Sequence, residues 1–212
     1  KLYDFVNKGG ILVGTFLTAY VNETNLCHIG GFPGKSFRKL FGIWNEGMDY
    51  LFPDESVKVK DTRSVFEIEL NGNCSTVIEQ LNLEGAHSLA EADSDMHQGS
   101  PLITKHKAGK GCSYYLGAEF ADDLLVNFYK SLKKENKLED SHEGMSLPEG
   151  VVLRRRDSKN ENYYFLFNYQ NKDVKIDLHN EEWFDFSNNM KLPNEVCLKA
   201  YDTLIIQKAS QN

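Results

Sequence analysis

Between Gly9-Gly10 and Leu17 the chain runs Ile11-Leu12-Val13-Gly14-Thr15-Phe16, a short and nearly continuous apolar stretch. A strand with one wet face alternates apolar and polar side chains. A strand without that alternation is covered on both faces, as in sheets flanked by helices. Just ahead, Leu2, Phe5 and Val6 share one helical face, and Gly9-Gly10 closes the helix. Helix, glycine pair and doubly covered strand together predict an α/β fold. Because Lys1 already sits inside that helix, the chain reads as a piece of something longer.

Further along, Ser64 to Leu70 is a second strand candidate, carried by Val65, Ile68 and Leu70. Pro101 to Lys105 and Ser113 to Gly117, joined through Ala108-Gly109-Lys110-Gly111, read as a β-hairpin. From Ala121 to Lys134 the apolar residues Leu124, Leu125, Phe128, Tyr129 and Leu132 fall on one helical face. Asp122 and Asp123 open that helix and Lys130, Lys133 and Lys134 close it, the charge order that a helix dipole favours. The polar run Lys133 to Ser146 then marks a boundary. Beyond it Val151 to Arg155, Tyr163 to Tyr169, Val174 to Leu178, Glu195 to Leu198 and Thr203 to Gln207 read as short strands separated by polar clusters. The expected organisation is an α/β domain over 1–136, a linker over 137–147 and a small antiparallel β-sandwich over 148–212. A domain that small is marginal alone and leans on a neighbour.

Charge and composition exclude several classes of partner. A net charge of −7 opposes the phosphate attraction that supplies most nucleic-acid affinity. The one basic cluster, Arg154-Arg155-Arg156, precedes Asp157 and reads as a solvated strand edge. No run approaches the ~20 apolar residues of a membrane span, and the first residues lack a signal-peptide pattern, so neither membrane nor nucleic acid is an expected partner. Cys27, Cys74, Cys112 and Cys197 show no C-x-x-C spacing, which fits a reducing cytoplasm better than a zinc or disulfide framework. The triplets at Asn22 and Asn73 read as chance matches to a glycosylation pattern.

No catalytic group stands out in the sequence. An amidotransferase-like α/β domain places a nucleophilic cysteine on the turn after a buried strand, where helix N-terminal amides lower its pKa. Here that turn holds Leu17-Thr18-Ala19-Tyr20, and Cys27 with its neighbour His28 lies further on, on an extended chain whose adjacent side chains point apart. His28, His87, His97, His106, His142 and His179 form no paired metal-ligand pattern. Gly109-Lys110-Gly111 lacks the spacing of a phosphate loop and is better explained as a hairpin turn. With 31 acidic residues and no barrel pattern, no carboxylate pair stands out as glycosidase acid and nucleophile. No catalytic, cofactor-binding or metal-binding residue is nominated, and no cofactor is expected.

Taken together, LYDFVNKGGILVGTF, VNETNLCHIGGFPGKSFRKLFGIWNEGMDYL and GSPLITKHKAGKGCSYYLG resemble the trimerisation domain of family 42 glycoside hydrolases, the β-galactosidases. GVVLRRR, YYFLFNY and LKAYDTLII are similar to that family's small C-terminal β domain, so the resemblance covers nearly the whole chain. It implies a flavodoxin-like or glutamine-amidotransferase-like three-layer first domain, truncated at its N-terminus, with its earlier strands upstream. It also implies that a TIM barrel with two catalytic glutamates, absent from these residues, cleaves terminal β-galactosides with retention. The expected partners are then other copies of itself, as a homotrimer of the full-length enzyme, and its own barrel.

In that setting Gly30-Gly31 and Pro33-Gly34 bend a loop, and Phe32, Leu40, Phe41, Trp44 and Tyr50 supply apolar anchors of the kind that dominate subunit contacts. Phe32, Pro33 and Trp44 are the nominated interface residues; the alternative, that these aromatics fill their own core, weighs equally. Two other functions stay open: a free-standing amidotransferase-like domain, and a carbohydrate-binding module stacking sugars on Tyr163, Tyr164 and Trp183.

Overall fold

The computed structural model describes residues 1–34, 36–62, 69–138, 145–158, 161–179 and 181–208. The chain divides into two units, Lys1–Lys137 and Leu138–Asn212.

In chain order the first unit holds α1 (Leu2–Asn7), β1 (Ile11–Thr15), α2 (Ser36–Phe41), β2 (Ile43–Tyr50), β3 (Val57–Asp61), β4 (Gly72–Leu83), β5 (His87–Ala92), β6 (Pro101–Ala108), β7 (Gly111–Leu116), β8 (Ala118–Phe120) and α3 (Asp122–Glu135). Its eight-stranded sheet runs β1-β7-β6-β5-β3-β4-β2, with β8 added on β4. β1 joins β7 in parallel, Ile11 opposite Cys112 through Thr15 opposite Leu116, while the other described pairs are antiparallel. As the apolar run predicts, β1 meets apolar residues on both faces: Ile11 and Val13 pack on the main core, and Leu12 on the cluster around Phe41. Among the described residues it nevertheless ends the sheet, with one hydrogen-bonding edge outside the ladder.

Helix α1 differs from expectation. Val6 is buried, but Leu2 and Phe5 are about half exposed, so a single residue anchors the helix to the described core. Gly9 takes φ +117° and the Gly10 amide donates to the Phe5 carbonyl, which closes the helix where the sequence placed its end. The hairpin is formed by β6 and β7, paired from Ile103–Leu116 to Ala108–Gly111, with Gly109 at φ +61° in the turn. It lies so close to the preceding turn that a Cβ on Gly111 would stand 2.1 Å from the Gly10 carbonyl oxygen. α3 buries Leu124, Phe128 and Leu132, and its end is tied to the hairpin by Tyr114, whose hydroxyl donates to Glu135 at 2.6 Å.

The candidate strand Ser64 to Leu70 falls mostly on 63–68, outside the described residues; Leu70, at its end, is fully buried. The sequence did not single out β2 and β4, and their geometry explains why. Their pairing shifts register between Asn45 and Met48, and β4 shifts again against β8 between Ser75 and Ile78, with Thr76 at φ +61°. A bulge moves every later side chain to the other face, so an alternating pattern cannot persist along such a strand.

The second unit holds β9 (Val151–Asp157), β10 (Asn162–Asn168), β11 (Val174–Asp177), β12 (Trp183–Asp185), β13 (Glu195–Leu198) and β14 (Thr203–Lys208). A four-stranded antiparallel sheet, β12-β14-β10-β9, and a two-stranded one, β11-β13, share one core that includes Tyr164, Leu166, Ile176, Leu198 and Ile206 around Trp183. Tyr164 meets the Trp183 ring edge-on at 4.9 Å, and the Trp183 indole N–H donates to Leu178 O at 3.0 Å. Asn168, 2% exposed, staples the loops at one end: its amide donates to Lys172 O and Lys199 O, each at 2.8 Å, and its carbonyl accepts from Gln170 N at 3.0 Å.

Candidate functional site

The most distinctive surface of the first unit is the loop that follows β1. It leaves the sheet through a turn in which Leu17 and Ala19 both take left-handed φ, 64° and 55°. Left-handed backbone is costly for residues with a Cβ and persists where surroundings impose it. Here the surroundings are a fully buried carboxyl: the Leu17 amide donates at 2.9 Å to Glu79 of β4. Burial pushes the Glu79 pKa up, and the Leu17 amide, the Tyr115 hydroxyl and the Asn45 amide offset part of that shift. Tyr115, itself buried, is raised chiefly by desolvation and then by the Glu79 charge.

Beyond the turn the loop is bound to itself. Tyr20 and Phe32 stack at 3.7 Å with ring planes 13° apart, and the Gly34 amide donates to Ala19 O at 2.9 Å. Val21 bridges Cys27, and the Asn22 carboxamide oxygen accepts from Thr24 N, Thr24 Oγ1 and Leu26 N at 2.8–3.0 Å. Such bracing fixes the backbone while leaving Leu26 65% and Ile29 fully exposed. Tyr50 is also exposed, and its hydroxyl is near enough to contribute, with Cys27 and Glu79, to the raised pKa of Tyr20, whose main cause is burial.

The nominated residues form the inner wall of this loop. Phe32 and Trp44 are half-buried and Pro33 is buried behind a cis peptide bond. Asn45 N donates to Phe32 O at 2.7 Å, joining the loop to β2. Gly31, at φ +100°, lies against Trp44 so closely that a Cβ would stand 2.1 Å from the indole nitrogen. On Trp44 rests Arg38, its guanidinium 5.5 Å from the ring centre and its Nε 2.6 Å from Glu84 Oε2. That carboxylate raises the Arg38 pKa, and Arg38 in turn lowers that of Glu84. Leu40 and Phe41, also offered as contact anchors, are 1% exposed core residues; Phe41 packs on Gly14 and edge-on to Tyr115 at 5.0 Å. Leu26 and Ile29 escaped nomination, because a lone aliphatic residue in a polar loop carries no pattern; the braced turn around it is visible in space alone.

Among the described residues around this loop, no reactive groups are brought together. Cys27 is exposed, and the His28 ring lies against Gly34. His97 is buried 3.9 Å from Asp49 in a polar groove, and among the described residues no group of three or more His, Cys, Asp or Glu could hold a metal ion. Among the described residues no helix is long and apolar enough to cross a membrane. In the second unit Tyr164 and Trp183 are each 1% exposed, which corrects the reading of them as sugar platforms: both lie on the face of the sheet that fills the core.

The described residues thus form a mixed sheet with a braced loop that exposes Leu26 and Ile29, followed by a small all-β unit. The chain belongs to family 42 of the glycoside hydrolases, its residues 1–139 matching the β-galactosidase trimerisation domain and 150–208 the β-galactosidase C-terminal domain. It is 33% identical over 208 residues to a β-galactosidase of Planococcus sp. and 32% identical over 211 residues to one of Clostridium perfringens. Each alignment covers 98% of this chain and 30% of the relative, so the chain spans under a third of the curated relatives it matches. Among solved structures, the β-galactosidase of Bacillus circulans sp. alkalophilus superposes with a TM-score of 0.82 at 26% identity, over 98% of this chain and 30% of that one. That of Rahnella sp. superposes at 0.78 and 31% identity, with the same coverage. The residues described here correspond to the non-catalytic C-terminal part of those enzymes.

Proposed function

We propose that this chain is the assembly end of a cytoplasmic β-galactosidase that removes terminal β-D-galactosyl groups with retention. It holds the enzyme as a homotrimer and braces a catalytic barrel carried by the rest of the polypeptide. One observation carries the reading: a loop locked from the core by Glu79, Asn22 and the Tyr20–Phe32 stack spends that rigidity on exposing Leu26 and Ile29. Exposed aliphatic groups on a preorganised loop suit subunit contact, because little freedom is left to lose on association. Phe32, Pro33 and Trp44 support that loop from within. The same reading takes the first unit as the end of a flavodoxin-like three-layer domain. β1, apolar on both faces and paired in parallel on one edge, has the character of an interior strand of such a sheet and accepts a further parallel strand on its other edge.

The test uses the full-length enzyme. Leu26→Asp with Ile29→Asp is expected to shift the mass seen by light scattering from trimer to monomer, and an unchanged trimer overturns the assignment of the loop. The 212-residue chain alone is expected to leave a chromogenic β-galactoside uncut, and turnover by it overturns the division of labour.

A further inference from the structure

We propose that the outer face of the four-stranded sheet in the second unit is the surface by which this unit docks on the catalytic portion of its own polypeptide; this rests on the function proposed above. The inner face of β10, with Tyr164, Leu166 and Asn168, is buried in the unit's core. The outer face of a free antiparallel sheet is polar. This one carries Phe165, Phe167 and Tyr169 in a row, neighbouring rings 6.4 and 6.1 Å apart and within 24° of parallel. Register places Ile205 of β14 opposite Phe165 and Val152 of β9 opposite Phe167, so the middle of the face is apolar across three strands. Tyr169 at the end of the row is 65% exposed. A strand that reads apolar on both faces belongs to a sheet covered on both.

Chemistry narrows the occupant. A sugar docks by laying a C–H face on an aromatic ring, but Phe165, Phe167 and Tyr169 turn their ring faces toward one another, and Val152 and Ile205 beside them cannot bond its hydroxyls. An apolar centre with a charged margin is instead the anatomy of a protein interface. The margin here is Arg154, opposite Phe165, and Arg156, opposite Tyr163. Both are exposed, and in the described contacts their guanidinium groups donate to neighbouring main-chain carbonyls, of Leu153 at 2.9 Å and Arg155 at 3.0 Å. The counterpart is therefore an apolar patch edged by carboxylates. Curated relatives carry about 70% of their length outside the matched segment, each match covering 30%. A unit tethered to that much chain meets it at an effective concentration of order millimolar, which favours it over a second copy arriving from solution.

The experiment is limited trypsin digestion of the full-length enzyme, following cleavage after the exposed Lys137 by mass spectrometry. Phe165→Ser with Phe167→Ser is expected to speed that cleavage about tenfold and to release the second unit as a resistant fragment, its resistance showing that it is folded, while the remaining particle stays trimeric. Arg154→Glu with Arg156→Glu leaves the apolar face intact and is expected to give a smaller, salt-dependent acceleration. Unchanged cleavage in both variants overturns the proposal. So does loss of the trimer in step with release, which would make the occupant a second copy. Activity and trimer mass of the untreated wild type test the underlying assembly reading separately, so the two can fail independently.

Discussion

In each unit a buried polar side chain holds a loop, Glu79 in the first and Asn168 in the second, and the two solve the problem in opposite ways. Asn168 is neutral and saturated: its amide donates to Lys172 O and Lys199 O at 2.8 Å and to Leu198 O at 3.3 Å, and its carbonyl accepts from Gln170 N at 3.0 Å. Glu79 is ionisable, and in the described contacts no Lys or Arg pairs with it, so its charge is opposed only by dipoles. A saturated neutral staple adds stability that is indifferent to pH. A buried carboxyl links the same task to the proton concentration, and it sits under the loop proposed for subunit contact.

The comparison is broken most severely at Asn168. Asn168→Ala strands two carbonyls and one amide in a buried place and is expected to cost about 2–4 kcal/mol in urea unfolding of the second unit. Asn168→Asp turns the comparison round by putting a carboxylate against two carbonyl oxygens. It should destabilise at neutral pH and recover part of that loss on acidification. Next in size is Gly31→Ala, where positive φ and the Trp44 indole at 2.1 Å together are expected to cost about 1–3 kcal/mol and to change near-ultraviolet dichroism.

Smaller is the proton linkage of Glu79. Its folded pKa is raised above 4.5, so between the unfolded and folded values the native state binds the extra proton, and this site's contribution falls as pH rises through that window. Glu79→Gln should flatten that slope, gaining about 1 kcal/mol above the window and nothing below it, as read from urea midpoints across pH. An equal slope in variant and wild type would show that the two staples do not differ. The least effect is expected at Arg38→Met, which breaks an exposed pair and should alter the salt dependence of unfolding while leaving the midpoint nearly in place.

Legible in the sequence were the β6–β7 hairpin, from its glycine turn, α3 with its charged ends, and β9, β10, β11, β13 and β14 of the second unit, whereas β3 alternates over only five residues and was not singled out. β2 and β4 were not, because bulges at Asn45–Met48 and Ser75–Ile78 break the alternation that would have announced them. The inner wall of the loop was partly legible, since glycine, proline and aromatic residues mark both bending and packing. Whether Phe32 or Phe41 faces in or out was not, because an aromatic side chain is equally at home in a core and at an interface. Glu79 left no trace among 31 acidic residues; its burial and the Leu17 amide reaching it are visible in space alone.

The cysteines give the molecule its own reporters. Cys74 is sealed in the core, with a thiol pKa pushed up to about 12, and stays silent toward alkylating agents at neutral pH. Cys27 and Cys197 are open to solvent, one beside the Leu26 tip and the other on β13. Comparing how fast each is capped, before and after the surrounding enzyme is assembled, would map which side of each unit is shielded, with no label to engineer and no residue to change.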